Sequence, residues 1–205
     1  MFPDQLQYGG FWRRFAALWI DFLCLLPLTL LYFWANERYR LFAAYYFIPG
    51  QILGIFYSVY LVRRFGGTPG KLAMGLRICC VDGSPAGYRE AFLRYLPDLI
   101  LSVLVSIALI YASFAISDAE YHSFGFLERT QRLTQLTPLW FHPLQIIQQV
   151  WVWGEFVVLL TNRKRRAIHD FLAGTVVILR PSASLPANKE TDDRPAPIGI
   201  TPPGK

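Results

Sequence analysis

The sequence predicts an all-α membrane protein: a four-transmembrane-helix bundle with short cytoplasmic helix-strand elements. Three observations carry that expectation. Of the 205 residues 54% are hydrophobic and 17% charged, against about a quarter charged in soluble domains, and the mean hydropathy is +0.31. The apolar residues gather in blocks as long as a bilayer core demands, roughly 20 residues each, rather than in amphipathic stripes. Lys and Arg, in turn, concentrate in alternate connections between the blocks.

The blocks are residues 15–35, 41–62, 96–116 and 139–160. Arg13 and Arg14 precede the first as they would a secretory signal. Its apolar run is too long for a signal core, however, and no small-x-small cleavage pattern follows Ala35, so it reads as a retained span. Between spans two and three, residues 66–94 are more than a tether. Thr68-Pro69 reads as an N-cap followed by Pro at the first helical position, so a short helix is expected to stop near Gly75. Residues 76–81 are β-prone, Asp82-Gly83 is a turn signal, and a new helix near Tyr88 feeds the third span. The connection at 117–137 is mixed in charge and yields no reading. After the fourth span, residues 163–180 run RKRRAIHDFLAGTVVILR, again a short helix, a glycine and a β-branched run. The chain thus reads as two units, each two spans followed by a helix, a glycine and a strand. Neither strand stands alone, and the two would pair into one small sheet. Residues 1–180 form one domain, and the Pro-, Ala- and Lys-rich stretch 181–205 is a disordered cytoplasmic tail.

Basic residues before span one, between spans two and three and after span four place both termini in the cytoplasm. The net charge of +6 follows from this pattern, so the expected partner of the basic rim is membrane lipid and no nucleic acid. Cys24, Cys79 and Cys80 lack metal-ligand spacing and read as reduced thiols; no metal and no cofactor is expected. The run GGTPGKL departs from a phosphate loop, which needs Gly-x4-Gly-Lys-Ser/Thr. With no nucleophile-base constellation either, the chain is not expected to be an enzyme.

Three carboxylates, Asp21, Asp98 and Glu155, lie inside spans, where a charge near mid-membrane costs at least ~2.5–3.5 kcal/mol. Arg14 and Asp21 are two helical turns apart, about 10 Å along one face. Helical side chains lean toward the N-terminus, so the two do not pair directly and each must find a partner on another segment. Ala16 and Ala17 between them allow another helix to approach closely. Asp21 is therefore an ion or proton site, or an interhelical tie. Asp98 follows Pro97 at the expected start of span three, where the positive helix end favours it. Glu155 sits beside Trp151 and Trp153 in a span made polar by Gln145, Gln148 and Gln149. His169-Asp170 reads as a proton relay or as a helix-capping or loop-pinning pair at the membrane surface.

Taken together, GFWRRFAALWIDFL, GGTPGKLAMGLRICCVDGSP, LRYLP and RRAIHDFLAGTVVI resemble the RDD family of prokaryotic multi-pass membrane proteins, over about residues 9–179. The family is named for an arginine and an aspartate in its first span and a further aspartate; these match Arg14, Asp21 and Asp170. The resemblance implies a prokaryotic cytoplasmic (inner) membrane location, with ion transport or an accessory role as suggested activities. Glu155 and the recurring tryptophans lie outside that pattern. Two functions follow as expectations. In the first the chain transports a monovalent cation or proton, with Asp21 as ion-binding carboxylate and Arg14 setting the local potential. Asp98, Glu155, His169 and Asp170 then line the access route, and a homo-oligomer supplies enough volume; a hydrated cavity should reach Asp21. In the second it is a non-transporting scaffold or accessory module that binds a membrane or cytoplasmic protein partner, or acidic lipid, at a flat face around Lys71, Arg77 and Arg166. Asp21 should then be dry and fully paired.

Overall fold

The computed structural model describes residues 7–162 and 165–180. The tail expected at 181–205, and Arg163 and Lys164 of the basic cluster, lie outside the described residues. Four helices are long and apolar enough to cross a bilayer, and the chain is a mostly helical multi-pass membrane protein with one two-stranded sheet.

Helix α1 (Phe11–Arg38) spans about 42 Å at 1.5 Å per residue, more than the ~30 Å hydrocarbon core. Its terminal turns, with Arg14 near one end, therefore reach the polar interface. The second crossing is α2 (Phe42–Ile55), a π-helical turn (Phe56–Tyr60) and α3 (Leu61–Phe65), ended by Gly66 at φ +84°. There follow α4 (Pro69–Ala73), with Thr68 at its N-cap, Gly75 at φ +67° and β1 (Leu76–Cys80), as the sequence predicts.

The helix expected near Tyr88 and the third span are one element, α5 (Tyr88–Ala115). This corrects the reading of Asp98: it lies well inside a continuous helix, beyond reach of the terminal dipole. The unread connection holds α6 (Asp118–Ser123) and α7 (Phe126–Leu136). These are pinned to the far end of α1 by Arg129, whose Nη2 donates to Glu37 at 2.5 Å. The last crossing is α8 (Phe141–Thr161), followed by α9 (Ile168–Leu172), Gly174 at φ +64° and β2 (Thr175–Leu179).

The strands pair antiparallel about their centres, Ile78 opposite Val177, and Tyr8 bridges to Ile178 beside them. One sheet face buries Leu76, Ile78 and Val177 with Ala17 of α1, Val59 and Val62 of the second crossing and Ala91 of α5. The other face packs Cys79, Val176 and Ile178 with Tyr8 and Val81. The sheet thus clamps three spans at the end of the bundle where residues 7 and 180 lie.

Candidate functional site

Asp21 meets donors from the second crossing and from α4. Its Oδ1 accepts from Tyr57 Oη at 2.6 Å and from Gly70 N at 2.7 Å; its Oδ2 accepts from Thr68 Oγ1 at 2.6 Å. The helix admitted by Ala17 is α4. A Cβ on Gly70 would sit 2.0 Å from the Ala17 carbonyl oxygen, so only glycine permits this approach. Three neutral donors hold Asp21, and no cation pairs with it among the described residues.

Arg14 finds its acid 156 residues away. Asp170, 0% exposed, accepts from Arg14 Nη1 at 3.2 Å, Ala167 N at 3.0 Å and Thr175 Oγ1 at 3.1 Å, and also pairs with Arg94 Nη1. One buried carboxylate thereby joins α1, α5, α9 and β2. The sequence reading missed Arg94 as a site residue and counted it only toward topology. The signal was present: Arg94-Tyr95 precedes the third apolar block as Arg14-Phe15 precedes the first.

His169 makes no hydrogen bond to Asp170, whose Oδ1 is 3.9 Å from Nε2, while Asp170 takes the expected capping role at the start of α9. The partner of His169 is Glu155: the His169 backbone N donates to Oε1 at 3.0 Å, and the ring Nδ1 lies 2.6 Å from Oε2. Chain direction explains the change, because α9 turns the imidazole back toward α8 while Asp170 caps its own helix at Ala167. Burial foremost, then the charges of Arg94, Lys71 and Arg14, hold the imidazole pKa well below its ordinary 6.5, so His169 is neutral near pH 7. Asp98 accepts from Trp151 Nε1 at 2.9 Å, a contact that sequence spacing could not have shown.

Lys71 lines an internal cavity rather than a flat outer face; its only hydrogen bond among the described residues is to Thr68 Oγ1 at 3.5 Å. Arg166 turns to the carbonyls of Asp170 and Thr175, at 2.9 and 3.1 Å, and covers the Phe171 ring at 4.1 Å. Of the three residues expected on that face, Arg77 alone is exposed.

These groups surround a cavity of about 310 Å³ walled by Arg14, Asp21, Lys71, Arg94, Asp98, Glu155 and His169, with Phe11, Phe15, Leu18, Trp151, Val152 and Phe156 on its apolar side. A second cavity, about 120 Å³, shares Lys71, Arg94, Asp98 and His169 and adds Ser58 and Tyr95. A third, about 260 Å³, shares Tyr95 and is walled by Gln51, Ser102 and Ser106. A fourth, about 210 Å³, shares Tyr32 and Leu109 with the third and reaches Glu37 and Arg129 at the opposite end. The walls of the first cavity carry three cations (Arg14, Lys71, Arg94) and three carboxylates (Asp21, Asp98, Glu155), with Asp170 behind them and Arg166 on the Asp170 carbonyl. No group of three or more His, Cys, Asp or Glu is arranged to hold a metal among the described residues.

Residues 8–174 match the family model described as the RDD family. No curated protein and no solved structure matches the chain.

Proposed function

The chain belongs to the RDD family and is an integral membrane protein, and from that premise we propose that it passes a monovalent cation or proton through the polar interior of its bundle. The supporting observation is the row of four cavities with shared wall residues, from the charged cluster at the sheet end to Glu37 and Arg129 at the other. The ion-handling carboxylates in this reading are Asp98 and Glu155, which face the first cavity. Asp21, saturated by three donors, holds α4 as one wall of that cavity, and Arg14 and Arg94 are held by Asp170. In this reading the sheet end faces the cytoplasm across a prokaryotic inner membrane, which the basic residues beside it support.

The test is Na⁺, K⁺ or H⁺ flux in liposomes containing the purified chain. Wild type is expected to conduct one of them, and Asp98→Asn or Glu155→Gln to reduce that flux at least about tenfold, equivalent to ~1.4 kcal/mol in the barrier. Asp21→Asn is expected to lower the melting temperature more than the flux per folded molecule. A second reading has one observation in its favour: Arg14, Asp21 and Asp170 are all consumed as ties between elements. If wild type passes none of these ions, the scaffold role stands in place of transport.

A further inference from the structure

The cavity at the sheet end has a side entrance. Phe15 and Leu18 on α1 and Val152 on α8 line it and are also 36%, 51% and 43% exposed. Exposed apolar residues of membrane-crossing helices face lipid, so the mouth opens sideways into the bilayer. The Phe11 and Phe156 rings, 6.3 Å apart, bridge the two helices at the sheet end of this opening. Behind the apolar mouth stand groups of both signs. Arg14 and Arg94 are taken by Asp170, whereas Lys71 forms no ion pair among the described residues and bonds only Thr68 Oγ1. Asp98 is exposed and accepts from the Trp151 indole. Glu155 Oε2 is buried and accepts no aligned hydrogen bond, although the His169 ring lies against it.

A bare metal cation would answer only the carboxylates, and an anion only Lys71. We propose that the cavity seats the headgroup of a phospholipid that ends in a primary ammonium, a phosphatidylethanolamine. The phosphate accepts from Lys71, the three N–H donors of the ammonium reach Asp98 and Glu155, and the acyl chains leave over Phe15, Leu18 and Val152. A choline headgroup has no N–H to donate, and a glycerol headgroup has no cation. The volume of about 310 Å³ is at the small end of ligand sites, ~300–1,000 Å³, which fits a headgroup with its chains left in the bilayer. The lipid adds no net charge, so the seat does not depend on the transport reading.

The test is native mass spectrometry of the purified full chain, titrated with phosphatidylethanolamine, phosphatidylcholine and phosphatidylglycerol of identical acyl chains. Retention of the ethanolamine lipid about tenfold over the other two is expected, since a hydrogen bond to a charged group is worth roughly that ratio. Asp98→Asn and Glu155→Gln should bring it down to the choline level, and Lys71→Gln should weaken ethanolamine and choline lipids alike. Leu18→Trp and Val152→Trp, at exposed positions that leave the charged cluster untouched, should block the mouth and cut retention even if a cluster variant fails to fold. Equal retention of the three lipids by wild type overturns the proposal, as does a preference that survives Asp98→Asn and Glu155→Gln, or a dimer mass carrying no lipid. Headgroup preference without ion flux would overturn transport alone, and flux without headgroup preference would overturn the lipid seat alone.

Discussion

Asp21 and Asp170 are both family-pattern carboxylates, yet their surroundings differ in kind. Asp21 is bound by a phenol, a hydroxyl and a backbone N–H, so an amide in its place keeps one acceptor and loses part of the tie. Asp170 pairs with two arginines while fully buried. Asp170→Ala strands both guanidinium groups, and breaking a buried pair in this way costs ~3–5 kcal/mol. The expected outcome is loss of folded protein on size-exclusion chromatography in detergent, with Asp170→Asn intermediate. His169 sets a pH dependence of definite sign. Its folded pKa lies below the ordinary 6.5, so between the two values the unfolded chain binds a proton that the folded chain does not. Stability is therefore full above about pH 6.5 and falls as the pH drops below it. Melting curves at pH 7.5 and 5 should show the decline, and His169→Gln should flatten it. Resemblance named Arg14, Asp21 and Asp170 from the sequence. Their partners were not legible there, because hydrogen-bond partners tens of residues away leave no trace in local spacing.

At the scale of elements, the two helix-glycine-strand units share more than their order. Each short helix has the backbone N–H of its second residue caught by an intramembrane carboxylate: Gly70 N by Asp21 of α1, His169 N by Glu155 of α8. Two of the three carboxylates inside spans thus anchor α4 and α9, Glu155 through Oε1, and Glu155 and Asp98 also line the cavity. The second crossing contributes through its π turn, a feature that often marks functional sites, whose Tyr57 supplies one donor to Asp21. Both units turn on a left-handed glycine, Gly75 at φ +67° and Gly174 at φ +64°. An added Cβ meets nothing within 4 Å at either position, so alanine there strains only the backbone. Gly75→Ala and Gly174→Ala are each expected to destabilise by ~1–2 kcal/mol, and by similar amounts if the units are equivalent, which paired thermal melts would measure. The strands, turns and glycines were readable because each obeys local conformational rules. The start of α5 near Tyr88 was readable too, but not its unbroken run past Pro97 and Asp98, since a proline at the edge of an apolar block reads equally as the start of a helix.

For the whole molecule, the sheet clamps the spans at one end, Arg129 and Glu37 tie them at the other, and the cavities lie between. Tyr95 stands where the second cavity meets the third, and its hydroxyl packs so close to Gly54 that a Cβ there would lie 2.2 Å away. The ion flux and the lipid retention described above are both properties of this interior, and both depend on how the four spans are set around it. Length, hydropathy and the positions of Lys and Arg determined by themselves that this chain crosses the membrane in four helices with a small sheet at one end, because burial in lipid and backbone torsion act on contiguous residues. Tertiary structure alone decided which charges are spent on holding the bundle and which face its cavity: a buried charge is silenced or left available by the segment that comes to lie against it, as Asp170 does for Arg14 and Arg94 and no carboxylate does for Lys71.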